Sequence, residues 1–176
     1  MGDSKTDDDS WVYQLLASLM SGTGYEWSES PTRFATTGWT TANLKTYIDA
    51  NLASQTGRGD KVLINIGAND LASLPVEATW KSNMTSILDS IHTWNASALV
   101  YVAKPWSRGQ TVNANTYAGW INDVLATRSS FAFVGPDERV WLENGDDGAT
   151  YTSDGAHYSA AGETECAAQW KTILGY

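Results

Sequence analysis

Three short runs of apolar, largely β-branched residues constrain this chain most: Val62 to Ile66, Leu99 to Ala103, and Phe131 to Val134. Each is continuous rather than alternating, as expected of strands covered on both faces in a parallel sheet. Around them apolar residues recur at three- and four-residue spacing. Trp80, Met84, Ile87, Leu88 and Ile91 form one helical face, and Tyr117, Trp120, Ile121, Val124 and Leu125 another. Two earlier faces are Trp11, Leu15, Leu16 and Leu19, then Leu44, Tyr47, Ile48 and Leu52. A last helix runs from about Ala160 to Leu174, with Ser159 as its N-cap and Gly175 as its stop. Strands alternating with helices imply right-handed crossovers, hence an α/β fold: a three-layer α/β/α sandwich with a parallel sheet. No repeat, low-complexity tract or linker divides the chain, so residues 1–176 read as one domain.

Charge and cysteine content exclude several classes. Eleven Lys and Arg against twenty Asp and Glu give a net charge of -9, a field that repels nucleic acid and anionic membranes. No apolar run approaches the ~20 residues of a bilayer span. The single cysteine, Cys166, rules out an internal disulfide framework and a multi-cysteine zinc site, and reads as a packing residue of the last helix. The opening MGDSKTDDDS has neither the basic start nor the apolar stretch of a signal peptide. The expectation is a soluble protein, cytoplasmic or secreted after processing. Asp7, Asp8 and Asp9 read as carboxylates at the positive end of a following helix, and Glu143 to Gly148 as a polar turn.

Working residues of a parallel α/β sheet sit on loops beyond the carboxyl ends of its strands. Four such places hold chemically complementary residues. Gly2-Asp3-Ser4 opens the chain, Gly38 lies in a polar loop, Gly67-Ala68-Asn69-Asp70 follows the first strand, and Asp154-Gly155-Ala156-His157 precedes the last helix. A serine hydroxyl becomes a useful nucleophile when a base takes its proton, and His157 can be that base. A carboxylate three residues away, Asp154, can hold the imidazole in the right tautomer and stabilise its cation. Backbone amides at a glycine and the Asn69 side-chain amide can serve a developing oxyanion.

This ordered set resembles the SGNH hydrolases, the GDSL family of lipases and esterases. Its blocks, a GDS serine, a glycine, GxND and DxxH, read here as Gly2 to Ser4, Gly38, Gly67 to Asp70, and Asp154 to His157. By average residue usage, GDS, GxND and DxxH together arise by accident in about one chain in three thousand of this length, so the set is specific although each part is weak. The resemblance implies Ser4 as nucleophile, His157 as general base and Asp154 as its orienting partner. It implies an oxyanion hole of the Ser4 and Gly38 backbone amides with the Asn69 side chain. It further implies a flavodoxin-like sandwich and no metal or organic cofactor. Family members carry an apolar strand directly before GDS, whereas here only Met1 precedes Gly2. The expectation is a sheet lacking that strand, with Ser4 on a terminus able to fray, and a second copy of the chain, as a homo-oligomer, is one source of a substitute.

The function expected is therefore a serine esterase that forms an acyl-enzyme on short-chain esters, acetyl esters included, with acetylated carbohydrate as one substrate class. No lid-like amphipathic insertion favours an interfacial lipase. Trp39, beside Gly38, and Trp106, after the second strand, are candidate walls of the substrate cleft. His92 falls on a helix without a carboxylate at relay spacing and reads as a packing residue; Asp70 reads as ordering the loop around Asn69. The competing reading is a carbohydrate-binding module that keeps the fold without the activity. The Asp154 and His157 pair weighs against it, since a binder has no use for a relay.

Overall fold

The three apolar runs become parallel strands side by side, β1 (Lys61–Ile64), β2 (Leu99–Lys104) and β3 (Ala132–Asp137), in the order β1-β2-β3. The computed structural model describes residues 1–7, 10–20, 34–55, 59–143 and 145–176. Val62 faces Val100, Val100 faces Ala132, and Val102 faces Val134 across the ladder. β3 runs on through Gly135 and Pro136, past the end of its apolar run, because its outer edge asks no hydrogen bond of the proline nitrogen. Gly135 is needed there: a Cβ would lie 2.8 Å from the Trp170 ring.

The helices are α1 (Ser4–Asp7), α2 (Ser10–Met20), α3 (Thr41–Asn51), α4 (Ala68–Leu71), α5 (Glu77–Trp94), α6 (Thr111–Ala126), α7 (Glu138–Trp141) and α8 (Ala160–Ile173). They cover both sides of the sheet. On one, α2 pairs with α8, and Trp11 stacks on Trp170 at 5.9 Å between ring centroids. On the other, α5 meets α6, with Trp80 edge-on to Tyr117 at 4.7 Å. Thr40 and Asn43 close a capping box at the start of α3, and Ser159 caps α8 through the Gly162 amide. Most of the tryptophans thus serve as interlayer filling, where their area contributes most. No described helix is long and apolar enough to cross a membrane.

The place of the strand expected to be missing is taken by Met1 and Gly2. The Met1 ammonium donates to the Leu63 carbonyl at 2.7 Å, and the Asn65 amide donates back to the Met1 carbonyl at 2.8 Å. On the other side the Gly2 amide donates to Phe34 O at 2.9 Å, and Gly2 bridges Ala35 and Asn65 in parallel fashion. Two residues therefore span the slot between β1 and the segment at Phe34 and Ala35. The terminus that the sequence suggested would fray is laddered on both sides, up to the residue before the GDS aspartate.

Candidate active site

Ser4 begins α1, separated by Asp3 from the bridged Gly2, and is 6 % exposed. The Asp3 carbonyl accepts from the Thr6 and Asp7 amides, which closes the helical turn and leaves the Ser4 amide without a partner among the described residues. The buried Asp3 carboxylate reaches outward: Oδ1 accepts from the Lys5 amide at 3.1 Å, and Oδ2 from the Gly67 and Ala68 amides, each at 3.2 Å. Burial raises its pKa to about 6, against the pull of Lys5 and these amides.

Two further contacts make the GDS, Gly38 and GxND segments a closed ring. Asn69 Nδ2 donates to the Trp39 carbonyl at 2.9 Å, which joins the GxND turn to the Gly38 loop. Asp7 Oδ2, at the end of α1, accepts from the Thr37 amide at 2.9 Å and from its hydroxyl at 3.1 Å, which joins that loop back to the nucleophile helix. Asp3 closes the third side through Gly67 and Ala68. Gly38 is exposed with φ at +84°, a left-handed conformation, and its amide has no partner among the described residues. Among the described residues, the second amide hydrogen of Asn69 has no protein acceptor. Asp70 does order this region: Oδ2 accepts from the Thr41 amide at 2.9 Å, the Thr41 hydroxyl at 2.8 Å and the Tyr117 hydroxyl at 3.0 Å.

The DxxH turn lies at the surface. His157 Nδ1 lies 2.6 Å from Asp154 Oδ2, while Asp154 Oδ1 accepts from the Ala156 amide at 2.9 Å and the His157 amide at 2.8 Å. These donors, the His157 amide first and its ring second, hold the Asp154 carboxyl well below the usual carboxylate range. The turn is clamped from outside, since the Arg108 amide donates to the Gly155 carbonyl at 2.7 Å. Among the described residues neither Ser4 Oγ nor His157 Nε2 has a hydrogen-bond partner. The structure thus joins Asp154 to His157, and Asn69 to the Gly38 loop, and makes no hydrogen bond between Ser4 and His157 among the described residues.

Of the two tryptophans expected at the cleft, Trp39 is half-buried beside Gly38, with its ring 5.0 Å from that of Tyr47. Trp106 departs from expectation. It is 0 % exposed and packs against Gly148, where a Cβ would come within 2.6 Å of the ring. It is a core residue and not a cleft wall, because a loop with no side chain at Gly148 closes over it. His92 stacks on Phe131 at 4.1 Å, a packing role. Burial pushes the Cys166 thiol well up, so it stays protonated and packs. Asp8, Asp9 and Asn144 lie outside the described residues. Of the acidic run only Asp7 is described, and its Oδ2 accepts from the Thr37 amide and hydroxyl.

Sequence reasoning passed over Lys5, Glu138 and Tyr158, which form a buried polar knot under the site. The signal that could have found two of them is position: Lys5 follows Ser4 and Tyr158 follows His157 in the chain.

The profile of the GDSL-like lipase/acylhydrolase family matches residues 1–164. No curated protein matches the chain. Among solved structures, the acetyl xylan esterase AlAXEase superposes with a TM-score of 0.81 at 16 % identity, over 98 % of this chain and 96 % of that one. A family 3 carbohydrate esterase of Clostridium thermocellum gives 0.74 at 19 % identity, over 98 % and 91 %. The lipase/acylhydrolase from Enterococcus faecalis gives 0.76 at 19 % identity, over 98 % and 92 %. At such identities the likeness is one of fold, and it bears out the α/β sandwich expected from the strand and helix pattern.

Proposed function

The chain belongs to the GDSL-like lipase/acylhydrolase family and is a carboxylic ester hydrolase, and on that premise we propose that it cleaves short-chain esters through an acyl-enzyme on Ser4. The observation that carries this reading is the Asp154–His157 pair: an ionised carboxylate on Nδ1 fixes the tautomer that leaves Nε2 as the proton acceptor. In this mechanism Ser4 Oγ attacks the ester carbonyl and its proton passes to His157 Nε2. The oxyanion is met by the amides of Ser4 and Gly38 and by Asn69 Nδ2, three donors with capacity to spare. Collapse of the tetrahedral adduct expels the alcohol, which takes the proton from His157. Water, deprotonated by the same nitrogen, then frees the acid and restores Ser4.

Acetyl esters, acetylated carbohydrate among them, are the substrate class we propose. Two proteins of the same fold are an acetyl xylan esterase and a carbohydrate esterase, and Trp39 offers an aromatic face next to Gly38, suited to a sugar ring. The test is hydrolysis of p-nitrophenyl acetate at pH 8 by the parent chain beside Ser4→Ala, followed by acetate release from acetylated xylan. Turnover that vanishes with Ser4 supports the acyl-enzyme. Equal background rates for both proteins would overturn it, and a glycan-induced change in tryptophan fluorescence would then point to a binding module.

A further inference from the structure

Three of the four segments that make up the site brace one another directly, through Asp3, Asp7 and Asn69. The fourth, the Asp154–His157 turn, does not join that ring. Among the described residues, the side-chain hydrogen bonds from residues 152–158 to Asn65 and to Glu138 meet at one atom, the Tyr158 hydroxyl, beside the backbone bond from the Arg108 amide to the Gly155 carbonyl. The hydroxyl donates to Glu138 Oε1 and accepts from Asn65 Nδ2 at 2.9 Å. The other carboxylate oxygen, Glu138 Oε2, accepts from Lys5 Nζ at 2.6 Å and from the Trp106 amide at 2.9 Å. Lys5 Nζ donates in turn to the Trp106 carbonyl at 2.7 Å.

We propose that Glu138 is a positioning residue that sets the separation of Ser4 and His157, holding the residue after the nucleophile on one oxygen and the residue after the base on the other. This rests on the acyl-enzyme reading of the site. Consecutive Cα atoms are 3.8 Å apart and joined by a rigid peptide, so pinning Lys5 and Tyr158 constrains Ser4 and His157 themselves. The Lys5 and Glu138 side chains are each 1 % exposed. A buried ion pair of this kind contributes little net stability, since desolvation offsets the attraction, yet both carboxylate oxygens are fully satisfied. Its consequence is geometric. Glu138 follows directly on β3, so the anchor stands on the sheet rather than on a loop. Among the described residues, Glu138 makes no hydrogen bond to Ser4, Asn69 or His157.

The experiment compares the parent chain, Glu138→Gln, Tyr158→Phe and the double variant on p-nitrophenyl acetate, with Ser4→Ala as the blank. Folded fraction is taken from near-ultraviolet circular dichroism, so that kcat is expressed per folded molecule. Misalignment of nucleophile and base is expected to lower kcat by about 10- to 100-fold in each single variant, with KM within about twofold of the parent. The double variant is expected to lose little more than the worse single one, because both changes cut the same link. Parental kcat per folded molecule in Glu138→Gln and Tyr158→Phe overturns the positioning role while leaving the esterase intact. Ser4-independent turnover in the parent overturns the acyl-enzyme reading first, and this proposal with it.

Discussion

His157 Nδ1 and Asp154 Oδ2 stand 2.6 Å apart on a turn whose two side chains are 42 % and 55 % exposed. A charged pair this exposed contributes little to stability, because little of its energy comes from burial. The His157 amide and ring hold the Asp154 carboxyl below the usual carboxylate range. Its contribution to stability is present above the unfolded value near 4 and is lost as pH falls below it.

Asp154→Asn is accordingly expected to lower kcat by about 10³- to 10⁴-fold, since the amide favours the wrong imidazole tautomer. Its melting temperature is expected to move by no more than about 2 °C. Steady-state kinetics and a thermal melt at pH 8 check both. Parental activity in the variant would remove Asp154 from the mechanism.

Strands and helices were legible because their signal is local: a run of β-branched residues, or an apolar residue every third or fourth position. The four family blocks were legible as short motifs. The braces were not. Lys5 and Glu138 are separated by 133 positions, and Asp7 and Thr37 by 30, so no periodicity records them. Met1 and Gly2 form a strand too short to show alternation. Trp106 misled because its neighbours are polar loop residues, and only the fold reveals that Gly148 admits the ring.

Asp3 gives the stability of this protein a pH dependence of unusual sign for a carboxylate. Its folded pKa is raised from 3.8 to about 6, so between these values the folded state holds the extra proton. The contribution is fully present below pH 3.8, declines as pH rises to 6, and changes no further above it. Its size is about 3 kcal/mol at most, from roughly two pKa steps of 1.4 kcal/mol. Asp3→Asn is expected to shift the urea midpoint by an amount that differs between pH 4 and pH 7. An offset identical at the two pH values would show that Asp3 does not titrate in this window.

Gly2 and Gly38 are needed for different reasons, and alanine tells them apart. At Gly2 a Cβ would fall 2.2 Å from Thr6 Oγ1 and 2.3 Å from the Asn65 carbonyl oxygen. The latter is backbone and cannot step aside, so Gly2→Ala is expected to destabilise by more than about 2 kcal/mol and displace Ser4. At Gly38 nothing lies within 4 Å of the Cβ position, and only φ at +84° resists substitution. Gly38→Ala is expected to cost about 1–2 kcal/mol and to act on kcat through its amide. Urea denaturation ranks the two, and the reverse order would contradict the geometry.

Trp39 and Trp106 are expected to separate in the same way, one by kinetics and the other by stability. Trp106 has no exposed surface, and its truncation leaves a large cavity over Gly148. Trp106→Ala is therefore expected to cost about 3–5 kcal/mol. Trp39 is half-buried on the loop that carries Gly38, and it keeps a face open beside the proposed oxyanion donors. Trp39→Ala is expected to raise KM for an acetylated xylo-oligosaccharide several-fold, while KM for p-nitrophenyl acetate, whose alcohol half is small, changes less. Its carbonyl, which holds Asn69, belongs to the backbone and survives the substitution, so kcat on the small ester should persist. A matching fall in kcat on both esters would show instead that the ring braces the oxyanion loop, through its contact with Tyr47.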